Sequence, residues 1–152
     1  MSSVMDYKQD KILAGRKAML AYQSRSLRDL LTPIFKQIGA ETVLAGPALE
    51  MLKQIELAKP DIIFCEYQMD TLDGPAFVSQ LRREFQLKTP AILVADCQDG
   101  EAPMKSRAAG ANEVLAMPFS VQDVTAIVKR ALDRPEAHVL RFGPRPKPDG
   151  QP

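Results

Sequence analysis

The feature that most constrains this chain is an unbroken apolar run that ends at a carboxylate. Residues 62–65 are apolar at every position rather than at alternate ones, which predicts a strand covered on both faces, as in a parallel sheet. Glu66 follows this run directly. Ligands of open parallel sheets bind at the carboxyl ends of the strands, so Glu66 is the first candidate site residue.

Strand-like runs alternate with helical patterns through the central part of the sequence. Five strands are predicted, at residues 17–21, 41–45, 62–65, 91–95 and 113–116. Five helices are predicted to follow them, at residues 24–38, 47–59, 74–85, 103–110 and 120–132. This alternation predicts an α/β fold in which a parallel sheet carries helices on both faces, joined by right-handed crossovers.

The first helix has the clearest pattern. Its apolar residues recur at steps of three and four, which predicts one buried stripe. Either Ser24 or Ser26 is suited to cap its start, and Gly39 is suited to end it. Pro33 lies inside the pattern and removes one backbone hydrogen bond, so we expect a single helix with a bend.

Single residues predict where two of the later helices begin. Pro47 suits the first turn of the second helix, because proline has no amide to leave unsatisfied there. Ser120 is expected to cap the fifth helix through its hydroxyl group.

Composition divides the chain into three segments. Residues 1–16 are polar and are expected to form either a short helix or a loose or lightly docked arm. Residues 17–132 form one domain. Residues 133–152 are rich in proline and arginine and are predicted to be an extended, flexible tail. The stretch 141–148 suits either a partner-binding arm with Phe142 as its aromatic anchor or a solvated end.

Several classes of function are excluded by simple counts. A single histidine, His138, argues against most metal sites and histidine-based catalysis. No glycine-rich phosphate loop or nucleophile–base pair is visible, and we expect no metal, no cofactor and no enzyme activity. The net charge of +1 does not favour nucleic-acid binding. Neither a membrane span nor a signal peptide is visible, and Cys65 and Cys97 lack metal-site spacing. We therefore expect a cytoplasmic protein that binds neither nucleic acid nor membrane.

Five short motifs occur in a fixed order around the predicted strands. They are Pro60-Asp61, Leu72-Asp73-Gly74, Thr89-Pro90, Ala109-Gly110-Ala111 and Pro118-Phe119. Through these motifs, the region from about residue 17 to residue 132 resembles the receiver domain of bacterial response regulators. The resemblance implies a flavodoxin-like (βα)5 fold, a three-layer sandwich with the parallel strand order 2-1-3-4-5.

The resemblance also implies a set of positions at which this sequence departs from the family pattern. The phosphoaccepting aspartate falls on Glu66, and the positions of the metal-binding acidic pair, the Ser/Thr, the lysine and the aromatic switch fall on Tyr22 and Gln23, Ala95, Met117 and Val114. Receiver chemistry transfers a phosphoryl group with the help of Mg²⁺ held by carboxylates. The sequence therefore predicts a degenerate, or pseudo-receiver, type.

The leading hypothesis is a protein-interaction module that regulates a two-component, chemotaxis or cell-cycle pathway without being phosphorylated. Its partner would be a histidine kinase, a phosphotransfer protein or another regulator. Arg25 and Arg28, near the start of the first helix, are candidate docking residues. The face formed by the fourth helix, fifth strand and fifth helix is a candidate homodimer surface, as it is in the family.

Two alternatives stay open at this point. Glu66 could act as a phosphoaspartate mimic that keeps the receiver constitutively on, although the readers at Ala95 and Met117 are lost. Alternatively, the crevice at the strand ends, made more apolar by Tyr22, Met117 and Ala95, could bind a small organic ligand as a sensor. Otherwise Glu66 is a strand-end carboxylate that Gln23, Tyr22 or loop amides satisfy.

Overall fold

The apolar run at residues 62–65 forms the central strand of a five-stranded sheet in the computed structural model, which describes residues 11–133. The strands are β1 (Lys17–Ala21), β2 (Glu41–Gly46), β3 (Ile62–Glu66), β4 (Ala91–Asp96) and β5 (Glu113–Met117). All neighbouring strands are parallel, in the order β2-β1-β3-β4-β5. The fold class and the strand order are therefore as predicted.

Five helices cover the two faces of this sheet. They are α1 (Arg25–Gln37), α2 (Ala48–Ala58), α3 (Gly74–Arg83), α4 (Ala102–Ala109) and α5 (Val121–Asp133). One apolar core joins α1 and α5 to the sheet, and a second joins α2 and α3 to its other face. Phe35 of α1 and Phe64 of β3 meet in the first core with ring centres 4.8 Å apart. The continuous apolar run in β3 is explained, since alternate residues enter opposite cores.

The first helix begins and ends where the sequence predicts. The Ser24 hydroxyl oxygen accepts a hydrogen bond from the Leu27 amide, and Gly39 has a φ of +90° just beyond the helix end. Pro33 lies inside a single continuous helix. A bend at Pro33 stays a prediction.

The second helix begins later than its proline suggests. Pro47 is the N-cap of α2 rather than a residue of its first turn, and its ψ of 161° is that of extended backbone. Proline restricts φ but leaves ψ open, so either position was compatible with the local sequence. The preceding strand correspondingly runs to Gly46, one residue further than predicted.

The described end of the N-terminal arm is docked rather than loose. Leu13 is fully buried in the core beneath α1 and α5, and its amide donates a hydrogen bond to the Ile38 carbonyl. The exact boundaries of the arm and the tail stay predictions. The predicted tail, except its first residue Asp133, lies outside the described residues.

The partly buried guanidinium of Arg82, near the end of α3, fastens the amino-terminal ends of β4 and β5. It donates to four acceptors, which are the carbonyl oxygens of Gly110, Leu87 and Thr89 and the side-chain oxygen of Asn112, at 2.8–3.1 Å. The same Asn112 oxygen accepts from the first amide of β4. Burial lowers the pKa of Arg82 to about 10, which leaves it protonated at neutral pH. We call this group the arginine clamp.

Replacing Ser120 with alanine should lower the free energy of unfolding by about 1 kcal/mol. The Ser120 hydroxyl accepts from the Asp123 amide, and the Asp123 carboxylate accepts from the Ser120 amide, which is a reciprocal cap at the start of α5. Urea unfolding measures the loss as a lower midpoint at unchanged slope. Gln122→Ala, in the same exposed turn, should be nearly neutral, and equal losses in both variants would contradict the cap.

None of the helices in the described part of the chain is long and apolar enough to cross a membrane.

Candidate functional site

The carboxyl ends of four neighbouring strands bring the predicted site positions to one edge of the sheet. Tyr22 and Gln23 follow β1, Glu66 ends β3, and Ala95 and Met117 lie at the ends of β4 and β5. Because β1, β3, β4 and β5 are adjacent in the sheet, these positions lie side by side. The structure therefore brings these five positions together at the carboxyl ends of the strands.

One of the six mapped positions lies away from this edge. Val114 is near the start of β5, where it is half-buried and pairs in register with Leu93 of β4. Valine can fill space here but offers no hydroxyl or ring to move between two positions.

The Glu66 carboxylate binds the backbone of the loop between β1 and α1. Its Oε1 atom accepts hydrogen bonds from the Gln23 amide at 2.7 Å and from the Ser24 amide at 2.9 Å. Ser24 is the N-cap of α1, so the carboxylate also lies at the positive end of that helix. Loop amides thus satisfy Glu66, which was one of the possibilities that the sequence left open.

Gln23 joins this loop to the segment that follows β3. Its side-chain oxygen accepts a hydrogen bond from the Asp70 amide at 2.7 Å. Together, Glu66, Gln23, Ser24 and Asp70 form a set of contacts that we call the loop latch. A glutamine at an expected metal-ligand position here connects two loops of the protein.

Tyr22 is half-buried against the domain. Its amide donates to the Gly46 carbonyl at 2.7 Å, and its ring packs against the core on the α1 side. The Arg28 guanidinium carbon lies 5.9 Å from the ring centre. The ring therefore lies between the core and the Arg28 side chain.

The two candidate docking arginines differ in their contacts. Arg28 is paired with Asp29 at 3.0 Å, and this hydrogen bond is the main cause of a raised Arg28 pKa. Arg25 is exposed at the start of α1. Arg25 is therefore the more accessible of the two arginines.

The positions that would read a phosphate offer no polar side chain. Ala95 is almost fully buried, and Met117 is half-buried against the core. Met117 also lines an open groove of about 450 Å³, with Leu30 of α1 and residues 96–98 and 118–119 as its other walls. We call it the upper groove. Of the three residues expected to line a ligand crevice, Met117 lines it, whereas Tyr22 and Ala95 do not.

A glycine makes the close contact between β3 and the start of α3 possible. A Cβ atom at Gly74 would lie 2.8 Å from the Glu66 carbonyl oxygen and 2.9 Å from a methyl group of Leu93. Asp73, just before it, caps α3 by accepting from the Ala76 amide. The Leu72-Asp73-Gly74 motif is thus explained by packing and capping, without reference to phosphoryl chemistry.

Sequence reasoning missed Tyr67, the residue after Glu66. It packs beside the core on the α2–α3 face, and its amide donates to the Val94 carbonyl. Burial is the main cause of its raised pKa, followed by the charge of Asp99. The sequence signal that could have identified Tyr67 was its position directly after Glu66, at the end of a predicted strand.

The donor set does not fit the Mg²⁺ ion that receiver chemistry needs. Mg²⁺ prefers carboxylate and water oxygens in octahedral geometry, and the two positions that the resemblance assigns to the acidic pair carry a tyrosine and a glutamine that bond within the protein itself. Within residues 11–133, no group of three or more acidic, histidine or cysteine side chains could hold a metal ion.

Comparisons with known proteins agree with the fold. The model of the response regulator receiver domain family matches residues 19–129. Protein PilG of Pseudomonas aeruginosa is 26% identical over 131 residues, which cover 86% of this chain and 92% of that protein. The alkaline phosphatase synthesis transcriptional regulatory protein PhoP of Bacillus subtilis is 28% identical over 80% of this chain, but over only 50% of PhoP.

Solved structures show the same likeness. The chemotaxis protein CheY4 of Vibrio cholerae superimposes with a TM-score of 0.69 at 25% identity, covering 76% of this chain and 97% of CheY4. The receiver domain of NtrX from Brucella abortus has a TM-score of 0.70 at 23% identity, over 77% of this chain and 98% of the other.

Proposed function

This chain belongs to the response regulator receiver domain family, and from that premise we propose that it is a pseudo-receiver. It is a receiver domain of the two-component or chemotaxis type whose output does not depend on phosphorylation. In this proposal it acts in the cytoplasm as a protein-interaction module and catalyses no reaction. Its partners are proteins rather than nucleic acids or membranes.

The observation that carries the proposal is the state of the Glu66 carboxylate. Phosphoryl transfer to a receiver needs a carboxylate oxygen free to attack and a cation to neutralise the phosphate. Within residues 11–133, the hydrogen bonds to Glu66 come from two backbone amides, and its neighbours Ala95 and Met117 supply neither a hydroxyl nor a cation. Both bonds reach the same oxygen, Oε1, so the proposal is supported mainly by the missing hydroxyl and cation around the carboxylate.

The constitutively-on alternative has weaker support than the pseudo-receiver. A mimic must make contacts in the active state that it lacks in the inactive one. The contacts of Glu66 reach the β1–α1 loop, while β4 and β5 offer it only alanine and methionine side chains. The ligand-sensor alternative rests on the upper groove and, among its expected residues, on Met117 alone.

Two surfaces are proposed for partner binding. The outer face of α1, with Arg25 and Arg28, suits a histidine kinase or phosphotransfer protein. The face formed by α4, β5 and α5 suits another regulator or a second copy, and it presents the largely exposed Met104. Neither use requires a phosphoryl group on Glu66.

Incubation with acetyl phosphate and Mg²⁺ is expected to leave the protein without an acyl phosphate. Intact-mass spectrometry measures the adduct, and a receiver with a complete acidic pair, aspartate and lysine serves as the positive control. A hydroxylamine-sensitive adduct that disappears in Glu66→Gln would overturn the proposal. An adduct that persists in Glu66→Gln would place the modification elsewhere in the chain and leave Glu66 unphosphorylated, as proposed.

Independence from phosphorylation is measured separately, on partner binding. Purified protein, immobilised and exposed to a lysate of its own cells, should retain the same partners with and without acetyl phosphate. A partner retained only with the phosphoryl donor would contradict this part of the proposal.

A further inference from the structure

The upper groove combines apolar walls with an acidic rim. Leu30 lies outside the buried stripe of α1 and is 54% exposed in the groove, where Met117 and Phe119 lie half-buried. Asp96 contributes a carboxylate to the same groove. None of the described residues that line the groove is a lysine, an arginine or a histidine. The groove therefore suits an apolar side chain that has cations beside it.

Two carboxylates at this edge of the sheet form no ion pair within residues 11–133. Asp96 accepts a hydrogen bond from the Gln98 amide, and Asp123 accepts one from the Ser120 amide. Asp123 lies near the upper groove, because it lines a neighbouring groove together with Pro118, which lines both. Both acids are exposed, so a cation of another molecule can reach them.

The most exposed large apolar side chain in the described part of the chain lies at the opposite edge of the sheet. Leu57 is 89% exposed, one residue before α2 ends at Ala58. The Ala58 carbonyl accepts a hydrogen bond from the side chain of Lys17, the first residue of β1, which places this end of α2 at the amino-terminal edge of the sheet. Leu57 therefore cannot reach the upper groove of its own chain.

Two exposed lysines flank Leu57. Lys53 precedes it by four positions, which places both side chains on one face of α2. Lys59 follows just beyond the helix end, with a left-handed backbone at a φ of +49°. Glu56, the acid of this turn, lies about 100° around the helix from Leu57. We call Leu57, Lys53 and Lys59 the α2 knob.

We propose that the α2 knob of one copy of this protein docks in the upper groove of a second copy. Leu57 then packs against Leu30 and Met117, and the two lysines lie beside the two unpaired carboxylates of the groove edge. Because knob and groove lie at opposite edges of the sheet, the contact can repeat from copy to copy. A single side chain in an open groove buries little surface, so the association is weak and depends on concentration.

This contact makes the local concentration of the protein an input that needs no phosphate. The docked knob covers the start of the loop after β4 and the turn after β5, so a partner that uses this edge competes with the second copy. The α2 helix takes no part in the homodimer face proposed above, and Glu66 takes no part in this contact. The contact can therefore fail while the proposed function stands.

Disulfide trapping tests the contact on the full chain, because Cys97 is an exposed thiol in the upper groove. Leu57→Cys places a second thiol on the knob. Under mild oxidation, this variant should form disulfides between position 57 of one copy and Cys97 of another. Non-reducing gels show these products as a ladder, and peptide mass spectrometry locates the linkage. Cys65 should take no part, since it is fully buried and burial raises the pKa of its thiol.

The matched control is Leu44→Cys, which replaces another exposed leucine, on β2. Its disulfides with Cys97 should form several-fold more slowly than those of Leu57→Cys. High salt should slow the Leu57→Cys reaction, because salt screens the charge contacts, and so should Asp96→Asn. The iodoacetamide rate of Cys97 in each variant corrects for any change in the reactivity of the thiol itself.

Sedimentation velocity under reducing conditions tests the same contact without an added thiol. The sedimentation coefficient of the wild type should rise with concentration, whereas Leu57→Ala alone and Leu30→Ala alone should stay monomeric. A mixture of these two variants should form one-to-one dimers, since the first keeps its groove and the second keeps its knob.

Three results would overturn the proposal. Equal rates of disulfide formation with Cys97 in Leu57→Cys and Leu44→Cys would mean that the groove has no preference for the knob. A wild-type sedimentation coefficient that does not rise with concentration would mean that the copies do not associate. Association that persists unchanged in Leu57→Ala would assign it to another surface.

Discussion

Replacing Arg82 with methionine is expected to lower the free energy of unfolding by about 3 kcal/mol. Methionine keeps much of the apolar stem but removes the guanidinium of the arginine clamp. Four oxygen acceptors, three of them backbone carbonyls, then lose the Arg82 donor, and the Asn112 oxygen keeps its bond from the Ala91 amide. These acceptors lie in the turns before β4 and β5, so the loss loosens the entry of both strands into the sheet. Urea unfolding at neutral pH measures the change.

Two matched variants show whether the geometry of the clamp is responsible. Arg83, the next residue, is exposed and donates only to the Ser79 hydroxyl within the described part of the chain, so Arg83→Met should cost well under 1 kcal/mol. Arg82→Lys keeps the charge but cannot reach four separate acceptors, and it should recover little of the loss. Full stability in Arg82→Lys would mean that charge, rather than the planar fork of donors, holds the strands.

The second large effect is expected at Glu66, where alanine should lower the free energy of unfolding by about 2 kcal/mol. The substitution removes a charged acceptor from the Gln23 and Ser24 amides at the start of α1. The site is only half-buried, so water can replace part of what is lost. Hydrogen exchange should become faster at those two amides and at Asp70, because the latch joins both loops.

The matched comparisons for Glu66 separate charge from shape. Glu66→Gln keeps a side-chain oxygen at the same distance from the backbone and should lose about half as much stability. Glu84→Ala removes an exposed carboxylate whose partner is the Gln80 side chain, and it should be nearly neutral. Unchanged exchange at Gln23 and Ser24 in Glu66→Ala would show that the latch does not hold the loop.

The secondary structure was predictable because most of its signals are local. The apolar run of β3, the stripe of α1 and the cap at Ser120 each depend on residues within a few positions of one another. Pro47 shows the limit of such reasoning. Its side chain restricts φ, and the ψ that makes it an N-cap is decided by how β2 leaves the sheet.

The candidate site was predictable in position but not in detail. The resemblance placed Glu66 beside Gln23, and the topology brought them together. The sequence could not show that the Gln23 side-chain oxygen accepts a hydrogen bond from the Asp70 amide, since 47 positions separate the two residues and the donor is a backbone group. Arg82 was invisible for the same reason: three of its four acceptors are carbonyl oxygens, which every residue carries.

The arginine clamp and the loop latch lie at opposite ends of the sheet, about 17 Å apart along a five-residue strand. Substitutions separated by this distance change stability nearly independently of one another. A lineage could therefore exchange the residues at the carboxyl ends of the strands, one after another, while the clamp kept the fold intact. The six positions proposed as degenerate in this chain would fit such a division of the sheet.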